Sequence, residues 1–292
     1  MIKIALFGYS GSGKTYIFKK LTGKEGEIFD PFKPNVGIGI YKDERLEKLK
    51  KIINPEKVVY PEFEIYDFKG FPENEGFPEK YFKNFIDKDV ILMIVKNFTN
   101  NSNPEEELYS LCMELIYHDI EKIERIIENR KKTSGEIDFW EKCLEFLKKE
   151  KFLKDTDINK EYFSGTELLT IKEIAVFLNG NEKEVKTDLP VIRDLNEIYK
   201  KIIEILRMIT FYTVKGNIAS AWIIPKGTIA KKAGGKIHKD IEKGFIKAGT
   251  LSFEEFIEIG DWHKAKNMGI LKFLGPNSEI SDGDVVEFYF TR

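Results

Sequence analysis

The hydrophobic positions of this chain include several short, nearly continuous apolar runs. Residues 2–7 and 90–95 are apolar almost throughout, which is typical of strands buried on both faces of a parallel sheet. Residues 36–41, 63–66 and 174–178 are predicted as further strands. Because helical patterns separate these runs, the sequence favours an α/β fold with a mostly parallel sheet and flanking helices.

Apolar side chains recur at helical spacing between residues 104 and 150. A Thr-Ser-Gly turn signal at residues 133–135 divides this stretch, so the pattern predicts an α-helical hairpin. Further helices are predicted over residues 43–53 and 195–208. Beyond residue 210, short strands alternate with glycine turns, which indicates a second, β-rich domain.

The composition narrows the classes of protein that the chain can be. The length of 292 residues suggests about two domains, and the 42% of hydrophobic residues is enough for a real core. The 47 basic and 49 acidic residues exclude nucleic-acid binding through bulk charge alone. Two cysteines and three widely spaced histidines supply neither a disulfide framework nor a zinc site. The low cysteine content favours a cytoplasmic protein. No apolar run is long enough to span a bilayer, so we expect no membrane partner.

A glycine-rich segment with a specific spacing follows the first predicted strand. Residues 8–15, Gly-Tyr-Ser-Gly-Ser-Gly-Lys-Thr, match the phosphate-loop pattern G-x-x-x-x-G-K-[ST] at every fixed position. Glycines let the backbone turn so that its N–H groups and the following helix dipole point at phosphate oxygens. We expect Lys14 to neutralise the β- and γ-phosphates and Thr15 to ligate Mg²⁺. The predicted nucleotide contacts in this region are Gly8, Ser10, Gly11, Ser12, Gly13, Lys14, Thr15 and Tyr16.

A D-x-x-G motif, residues 67–70, follows the strand at 63–66. Asp67 would hold Mg²⁺ through water, and the Gly70 N–H would sense the γ-phosphate. Alone the motif is also compatible with an ordinary turn, but after a phosphate loop the functional interpretation is favoured. We therefore predict Lys14, Thr15, Asp67 and Gly70 as the catalytic group, and Thr15 with Asp67 as the metal site.

Residues 179–182, Asn-Gly-Asn-Glu, follow the strand at 174–178, where a GTP-binding protein carries its base-reading N-K-x-D. The Asp of that motif accepts two hydrogen bonds from guanine, and adenine has no such donors. Glu182 in its place argues against guanine, so Asn179 and Glu182 are predicted base contacts. An Asn-Gly turn without a binding role explains these four residues equally well when they are taken alone.

Together these motifs resemble the YchF, or Obg-like ATPase, family of P-loop NTPases related to translation factors. Residues 34–37 (Pro-Asn-Val-Gly) and 43–46 (Asp-Glu-Arg-Leu) look like two family segments, and residues 179–182 fit its N-x-x-E. The segment from Thr210 resembles the start of the family's C-terminal TGS domain, and the likeness continues to residue 285.

The resemblance implies a P-loop NTPase G-domain at residues 1–103 and 165–208, with a coiled-coil-like helical insertion at 104–164. It also implies a β-grasp TGS domain at residues 209–292. The family's properties further imply slow hydrolysis of ATP, with Mg²⁺ as cofactor, and association with the ribosome. We expect a monomer.

Some residues depart from the family pattern or bear on catalysis. Phe71 fits the hydrophobic residue that the family carries in place of a catalytic Gln, but Pro31 stands near the position of its Mg²⁺-binding threonine. The loop at residues 98–104 lacks the family's histidine, so no general base is identified. Two alternative functions therefore remain: a nucleotide-gated module that does not hydrolyse ATP, and a GTPase with an atypical base site.

A local basic stretch lies between Lys215 and Lys247, which holds eight lysines against two acids. This basic stretch has two about equally good explanations: contact with ribosomal or other RNA, or a lysine-rich surface that is only solvated. The resemblance to a TGS domain favours RNA.

Overall fold

The computed structural model describes residues 1–25, 30, 32–130 and 137–291, except the side chains of Arg130 and Lys160. The chain divides into two compact units. The first contains residues 1–39 and 63–198, and the second contains residues 40–62 and 199–292. No helix in these described ranges is both long and apolar enough to cross a membrane.

Strands and helices alternate through much of the chain. The strands are β1 (Ile2–Phe7), β2 (Asn35–Ile40), β3 (Lys57–Val59), β4 (Glu62–Asp67), β5 (Val90–Lys96), β6 (Glu173–Asn179), β7 (Val191–Ile192), β8 (Met208–Lys215), β9 (Ile218–Pro225), β10 (Phe245–Leu251), β11 (Lys272–Leu274) and β12 (Val285–Phe290). The helices are α1 (Lys14–Thr22), α2 (Glu44–Ile53), α3 (Glu79–Phe82), α4 (Pro104–Arg130), α5 (Ile137–Lys148), α6 (Ile198–Ile205), α7 (Ala230–Ile237), α8 (Lys239–Lys243), α9 (Phe253–Ile259) and α10 (Trp262–Asn267).

The first unit is built on a six-stranded sheet in the order β2-β4-β1-β5-β6-β7. β1 pairs in parallel with β4 and β5, and β5 pairs in parallel with β6. The apolar run at residues 90–95 is completely buried in β5. The predicted α/β class is confirmed. Because these strands run in parallel, the carboxyl ends of β1, β4 and β6 meet at one edge, which is where such sheets bind ligands.

The predicted helical pair is present as α4 and α5. Both helices contribute to the buried cluster that covers β5, through residues such as Leu111 and Ile116 of α4 and Trp140 and Leu147 of α5. The helices therefore belong to the core of the first unit. The turn signal at residues 133–135 lies outside the described residues.

The second unit contains a six-stranded sheet in the order β11-β10-β12-β8-β9-β3. β8 and β9 form an antiparallel hairpin across Gly216, whose φ of 57° is left-handed, and β12 pairs in parallel with β8. The hairpin is followed by α7 and α8, and the later strand β12 returns to lie beside β8, the first strand. This is the arrangement expected of a β-grasp domain.

Residues 40–62 belong to the second unit, whereas the sequence assigns them to the G-domain. Leu46 and Leu49 of α2 are fully buried in the same cluster as Tyr212, whose hydroxyl donates to Asp43 Oδ1 at 2.6 Å. β3 pairs in parallel with β9. Helical spacing predicts which face of α2 is buried, but it does not say which core receives that face. The full three-domain division stays a prediction.

The helix predicted over residues 195–208 is wrong at its carboxyl end. α6 ends at Ile205, Arg207 has a left-handed φ of 51°, and Met208 already begins β8. Ile209 fits the apolar spacing of the helix, but its burial comes from the sheet, where it pairs with Ile224.

Candidate nucleotide-binding site

The phosphate loop, residues 8–15, joins the end of β1 to the start of α1. Gly11 and Gly13 have left-handed φ angles of 79° and 96°, which side chains rarely adopt. A Cβ on Gly13 would also lie 2.2 Å from Asn179 Nδ2. The first turn of α1 carries no acidic residue, so its N–H groups and positive dipole end are available to an anion.

Lys14 is folded back onto the loop. Its side chain is 5% exposed, and Nζ donates to the carbonyl oxygens of Gly8 and Tyr9, both at 2.8 Å. Burial lowers the pKa of Lys14 to about 8, although the charges of Asp67 and Glu107 oppose this shift. A phosphate in the loop offers this ammonium group a charged partner in place of two neutral carbonyls.

Thr15 and Asp67, the two predicted metal ligands, lie side by side. Thr15 Oγ1 donates to Asp67 Oδ2 at 2.9 Å, and Asp67 is fully buried at the end of β4. Burial raises the pKa of Asp67, while the Thr15 hydroxyl and the Lys14 charge oppose the rise. Asp67 Oδ1 makes no hydrogen bond of normal geometry with the described residues, although the Asn35 amide is near enough to favour the carboxylate.

This donor set fits Mg²⁺, which prefers hard oxygen ligands and keeps several water molecules. The described residues contain no group of three or more His, Cys, Asp or Glu side chains that could hold a metal alone. An ion held by Thr15 and Asp67 would therefore need phosphate oxygens and water to complete its shell.

Gly70 lies directly against the phosphate loop. A Cβ at this position would come within 2.5 Å of Lys14 Nζ and 2.6 Å of Ser10 N. The next residue, Phe71, accepts the Ser10 N–H through its carbonyl oxygen at 2.9 Å. The D-x-x-G segment (residues 67–71) thus occupies one N–H group of the phosphate loop.

The predicted base-reading segment follows β6 and also contacts the phosphate loop. Asn179 Nδ2 donates to the Ser12 carbonyl at 2.9 Å. The side chain of Glu182 is exposed, and its backbone N–H donates to the Asn97 carbonyl at 3.2 Å. The structure therefore brings Asn179 to the loop and leaves the Glu182 carboxylate facing solvent. Tyr16, also a predicted contact, is exposed too.

Known proteins are similar to this chain over its whole length. The family model YchF-GTPase_C, described as a protein of unknown function (DUF933), matches residues 208–291. The ribosome-binding ATPase YchF of Escherichia coli O157:H7 is 29% identical, with 99% of both chains covered. That of Bacillus subtilis is 25% identical, with 98% of both covered. The chain is similar to the YchF ATPases over its whole length, and residues 208–291 match the C-terminal model of that family.

Solved structures agree with this family at the level of the fold. The YchF GTPase of Schizosaccharomyces pombe has a TM-score of 0.81 at 18% identity and covers 99% of this chain and 97% of its own. A GTP binding protein from Pyrococcus horikoshii OT3 has a TM-score of 0.57 at 14% identity. Like the YchF fold, this chain has a P-loop G-domain and a C-terminal domain.

This chain lacks segments that the Escherichia coli YchF has. Its alignment with the Escherichia coli YchF runs over 359 positions, so at least 67 of them (359 less 292) fall opposite no residue of this chain. The predicted substitution of the Mg²⁺-binding threonine concerns Pro31, which lies outside the described residues.

Two polar residues near the phosphate loop are absent from the predicted site. Asn97 is fully buried after β5, where its side chain holds the base-reading segment through the Gly180 and Lys183 carbonyls and the Lys183 N–H. Glu107 is 9% exposed in the first turn of α4, and its charge acts on Lys14. The only sequence signal for Asn97 is a polar residue soon after an entirely apolar strand, and Glu107 sits in a run of three glutamates.

Proposed function

We propose that the chain is an ATP-binding P-loop ATPase of the cytoplasm that hydrolyses ATP slowly to ADP and phosphate and works as a nucleotide-dependent switch on the ribosome. The convergence of Lys14, Thr15, Asp67 and Gly70 on one phosphate loop carries this proposal. The bacterial YchF relatives, which are named ribosome-binding ATPases, support the nucleotide and the partner.

Each of these residues has a distinct role toward the triphosphate. Lys14 exchanges its two carbonyl partners for β- and γ-phosphate oxygens, and the Gly70 N–H donates to the γ-phosphate. Thr15 and Asp67 would hold Mg²⁺, which neutralises phosphate charge when it is bound. Catalysis is then mainly phosphate positioning and charge stabilisation, which is consistent with a low rate.

The preference for ATP rests on the base-reading segment. Asn179 is held near the loop by its bond to the Ser12 carbonyl, and Glu182 stands where a GTP-binding protein uses Asp to accept guanine N–H groups. A GTPase with an atypical base site is the alternative. It predicts that GTP displaces ATP with the higher affinity in competition binding.

The switch role is supported by the contact between the phosphate loop and the D-x-x-G segment. The Phe71 carbonyl now occupies the Ser10 N–H, and Gly70 packs against Lys14 Nζ. A γ-phosphate that engages both Lys14 and the Gly70 N–H changes the partners of this segment. Ordering of a segment by γ-phosphate contacts is a known form of switching in nucleotide hydrolases.

Phosphate release measured with and without Mg²⁺, and with and without ribosomes, tests the ATPase proposal. The wild-type chain should release phosphate only with Mg²⁺, and Lys14→Ala should reduce release to background. Lys19→Ala, which removes an exposed lysine of the same helix, is the matched control and should leave release unchanged. Equal release by the wild type and Lys14→Ala would refute the ATPase role.

A nucleotide-gated module without turnover is the second candidate, because the loop at residues 98–104 contains no histidine that could serve as a general base. Phe71, at the position of a water-orienting Gln, packs its ring 5.7 Å from that of Phe77 and 5.5 Å from that of Tyr81 and offers no polar group. This alternative predicts tight ATP binding and no phosphate release even when ribosomes are present.

The ribosome contact is proposed to use the basic stretch in the second unit. All eight of its lysines are exposed, and five of them lie on α7 and α8. A double variant, Lys231→Ala with Lys236→Ala, should weaken RNA or ribosome binding and reduce its salt dependence, by roughly one unit of slope per lost phosphate contact. The control pair, Lys48→Ala with Lys51→Ala on α2, should leave binding unchanged. Equal effects of both pairs would indicate a solvated surface only.

A further inference from the structure

Glu107 is a buried carboxyl group that the proposed mechanism does not use. It follows Glu105 and Glu106 in the first turn of α4, but those two side chains are exposed and Glu107 is 9% exposed. Its Oε2 accepts the backbone N–H of Lys96 at 3.1 Å. A carboxylate that gives up water for a single N–H partner is poorly compensated.

The face of α4 that carries Glu107 is turned toward the phosphate loop. Glu114, seven residues further on the same face, accepts the Phe77 N–H at 3.3 Å, so this face also contacts the chain that follows the D-x-x-G segment. Glu107 interacts electrostatically with Lys14 and with Tyr9 of the phosphate loop. Besides Asp67, the acidic side chain whose charge acts on Lys14 is thus Glu107, which lies on a helix that the sequence motifs do not include.

The surroundings of Glu107 hold it near the midpoint of its titration at neutral pH. Burial raises the pKa of Glu107 to about 7. The hydrogen bond from the Lys96 N–H lowers this pKa, and the negative charge of Glu73 raises it. The charges of Lys96 and Lys14 favour the ionised form. Near pH 7, a small change in local charge therefore changes the protonation of this carboxyl group.

We propose that Glu107 takes up a proton from solution when a nucleoside triphosphate binds to the phosphate loop, so that nucleotide binding is coupled to pH. This inference rests on the proposed function. The triphosphate brings several negative charges to the loop of Lys14, whose charge acts on Glu107, and it draws the Lys14 ammonium group to its own oxygens. Asp67 would be compensated by Mg²⁺, whereas Glu107 would keep only the Lys96 N–H and the Lys96 charge. Protonation to the neutral acid removes the repulsion.

Other titratable groups near the phosphate loop also affect the number of protons taken up, and their contributions can be separated from that of Glu107. Lys14, with its pKa lowered to about 8 by burial, keeps most of its proton at pH 7 and gains the rest on binding. Tyr9 stays neutral because burial raises its pKa. Burial also raises the pKa of Glu114, whereas the Phe77 N–H favours its ionised form. A variant at Glu107 alone isolates its share of the proton uptake.

Titration calorimetry with adenylyl imidodiphosphate and Mg²⁺, in buffers of different ionisation enthalpy at pH 7.0, measures the protons taken up. The wild-type protein should take up about half a proton more than Glu107→Gln, because Glu107 is about half ionised when free. Glu121→Gln, an exposed position on the same helix, should match the wild type. Between pH 6.5 and 8, affinity should fall more steeply with rising pH in the wild type than in Glu107→Gln.

The outcomes separate this inference from the proposed function. Equal proton uptake by the wild type and Glu107→Gln, with binding intact, overturns the role of Glu107 and leaves the nucleotide site standing. Absence of nucleotide binding to the wild type refutes both.

If Glu107→Gln does not fold, ¹³C-carboxyl NMR of the glutamate-labelled wild type gives the answer. One glutamate should titrate near pH 7 in the free protein and become protonated when the analogue is added. A spectrum without such a carboxyl group overturns the inference.

Discussion

Replacing Gly70 with alanine tests how the D-x-x-G segment meets the phosphate loop. Gly70 has no left-handed φ, so contacts alone oppose the new methyl group. That group would lie 2.5 Å from Lys14 Nζ, 2.6 Å from Ser10 N and 2.7 Å from the Tyr9 carbonyl carbon. Two of these are backbone atoms, so the segment has to move by about 1 Å to reach ordinary contact distances. Overpacking of this kind costs about 1–3 kcal/mol of stability.

The effect on nucleotide binding should depend on the γ-phosphate. Displacing the Gly70 N–H removes one charge-assisted hydrogen bond, worth about 1.5–3 kcal/mol, or roughly a 10- to 150-fold loss of affinity. Calorimetry should show this loss for a non-hydrolysable ATP analogue and a much smaller loss for ADP. Gly165→Ala is the control: its φ of 76° makes alanine unfavourable by about 1 kcal/mol, but nothing lies within 4 Å of the added methyl group. Equal losses for both nucleotides, or none, would refute the assignment of Gly70 to the γ-phosphate.

Two further changes probe the base-reading segment and the second unit. Asn179→Ala removes the bond to the Ser12 carbonyl and should cost about 1 kcal/mol, or roughly fivefold in affinity for ATP and GTP analogues alike, while exposed Asn181→Ala should cost little in calorimetry. In the second unit, burial favours the neutral acid of Asp282, but the Arg45 guanidinium and a backbone N–H outweigh it, so the pKa of Asp282 is lowered. The stability from this group is present above the unfolded pKa of about 4 and lost as pH falls through the lower folded value. Asp282→Asn should therefore make the free energy of unfolding in urea depend less steeply on pH below about pH 4. An unchanged pH dependence would contradict this.

The phosphate loop and the D-x-x-G motif were accessible from the sequence because fixed spacings constrain the local backbone. Gly13 requires a left-handed φ beside Asn179, and Lys14 and Thr15 follow at the start of a helix. Asp67 could be paired with Thr15 because both follow strands whose carboxyl ends share one edge of a parallel sheet.

Tertiary packing decided what the sequence left out. Glu107 belongs to a run of three glutamates typical of a helix start, and only the fold decides which one is buried. The hairpin of β8 and β9 had a signal, the Gly216-Asn217 pair between apolar runs. The start of β8 was harder to predict. Ile209 lies four residues after Ile205, so the apolar spacing of the preceding helix continues into the strand.

Calorimetric titration of the wild type and Lys14→Ala with Mg²⁺ and non-hydrolysable ATP and GTP analogues tests the nucleotide site most directly. The wild type should bind the ATP analogue more tightly than the GTP analogue. Lys14→Ala should weaken ATP binding at least roughly 100-fold, because it removes a buried ammonium group worth about 3 kcal/mol in hydrogen bonds to phosphate. Lys19→Ala should bind as the wild type does. Tighter binding of the GTP analogue would contradict the ATP preference, and equal affinities of Lys14→Ala and the wild type would contradict the site itself.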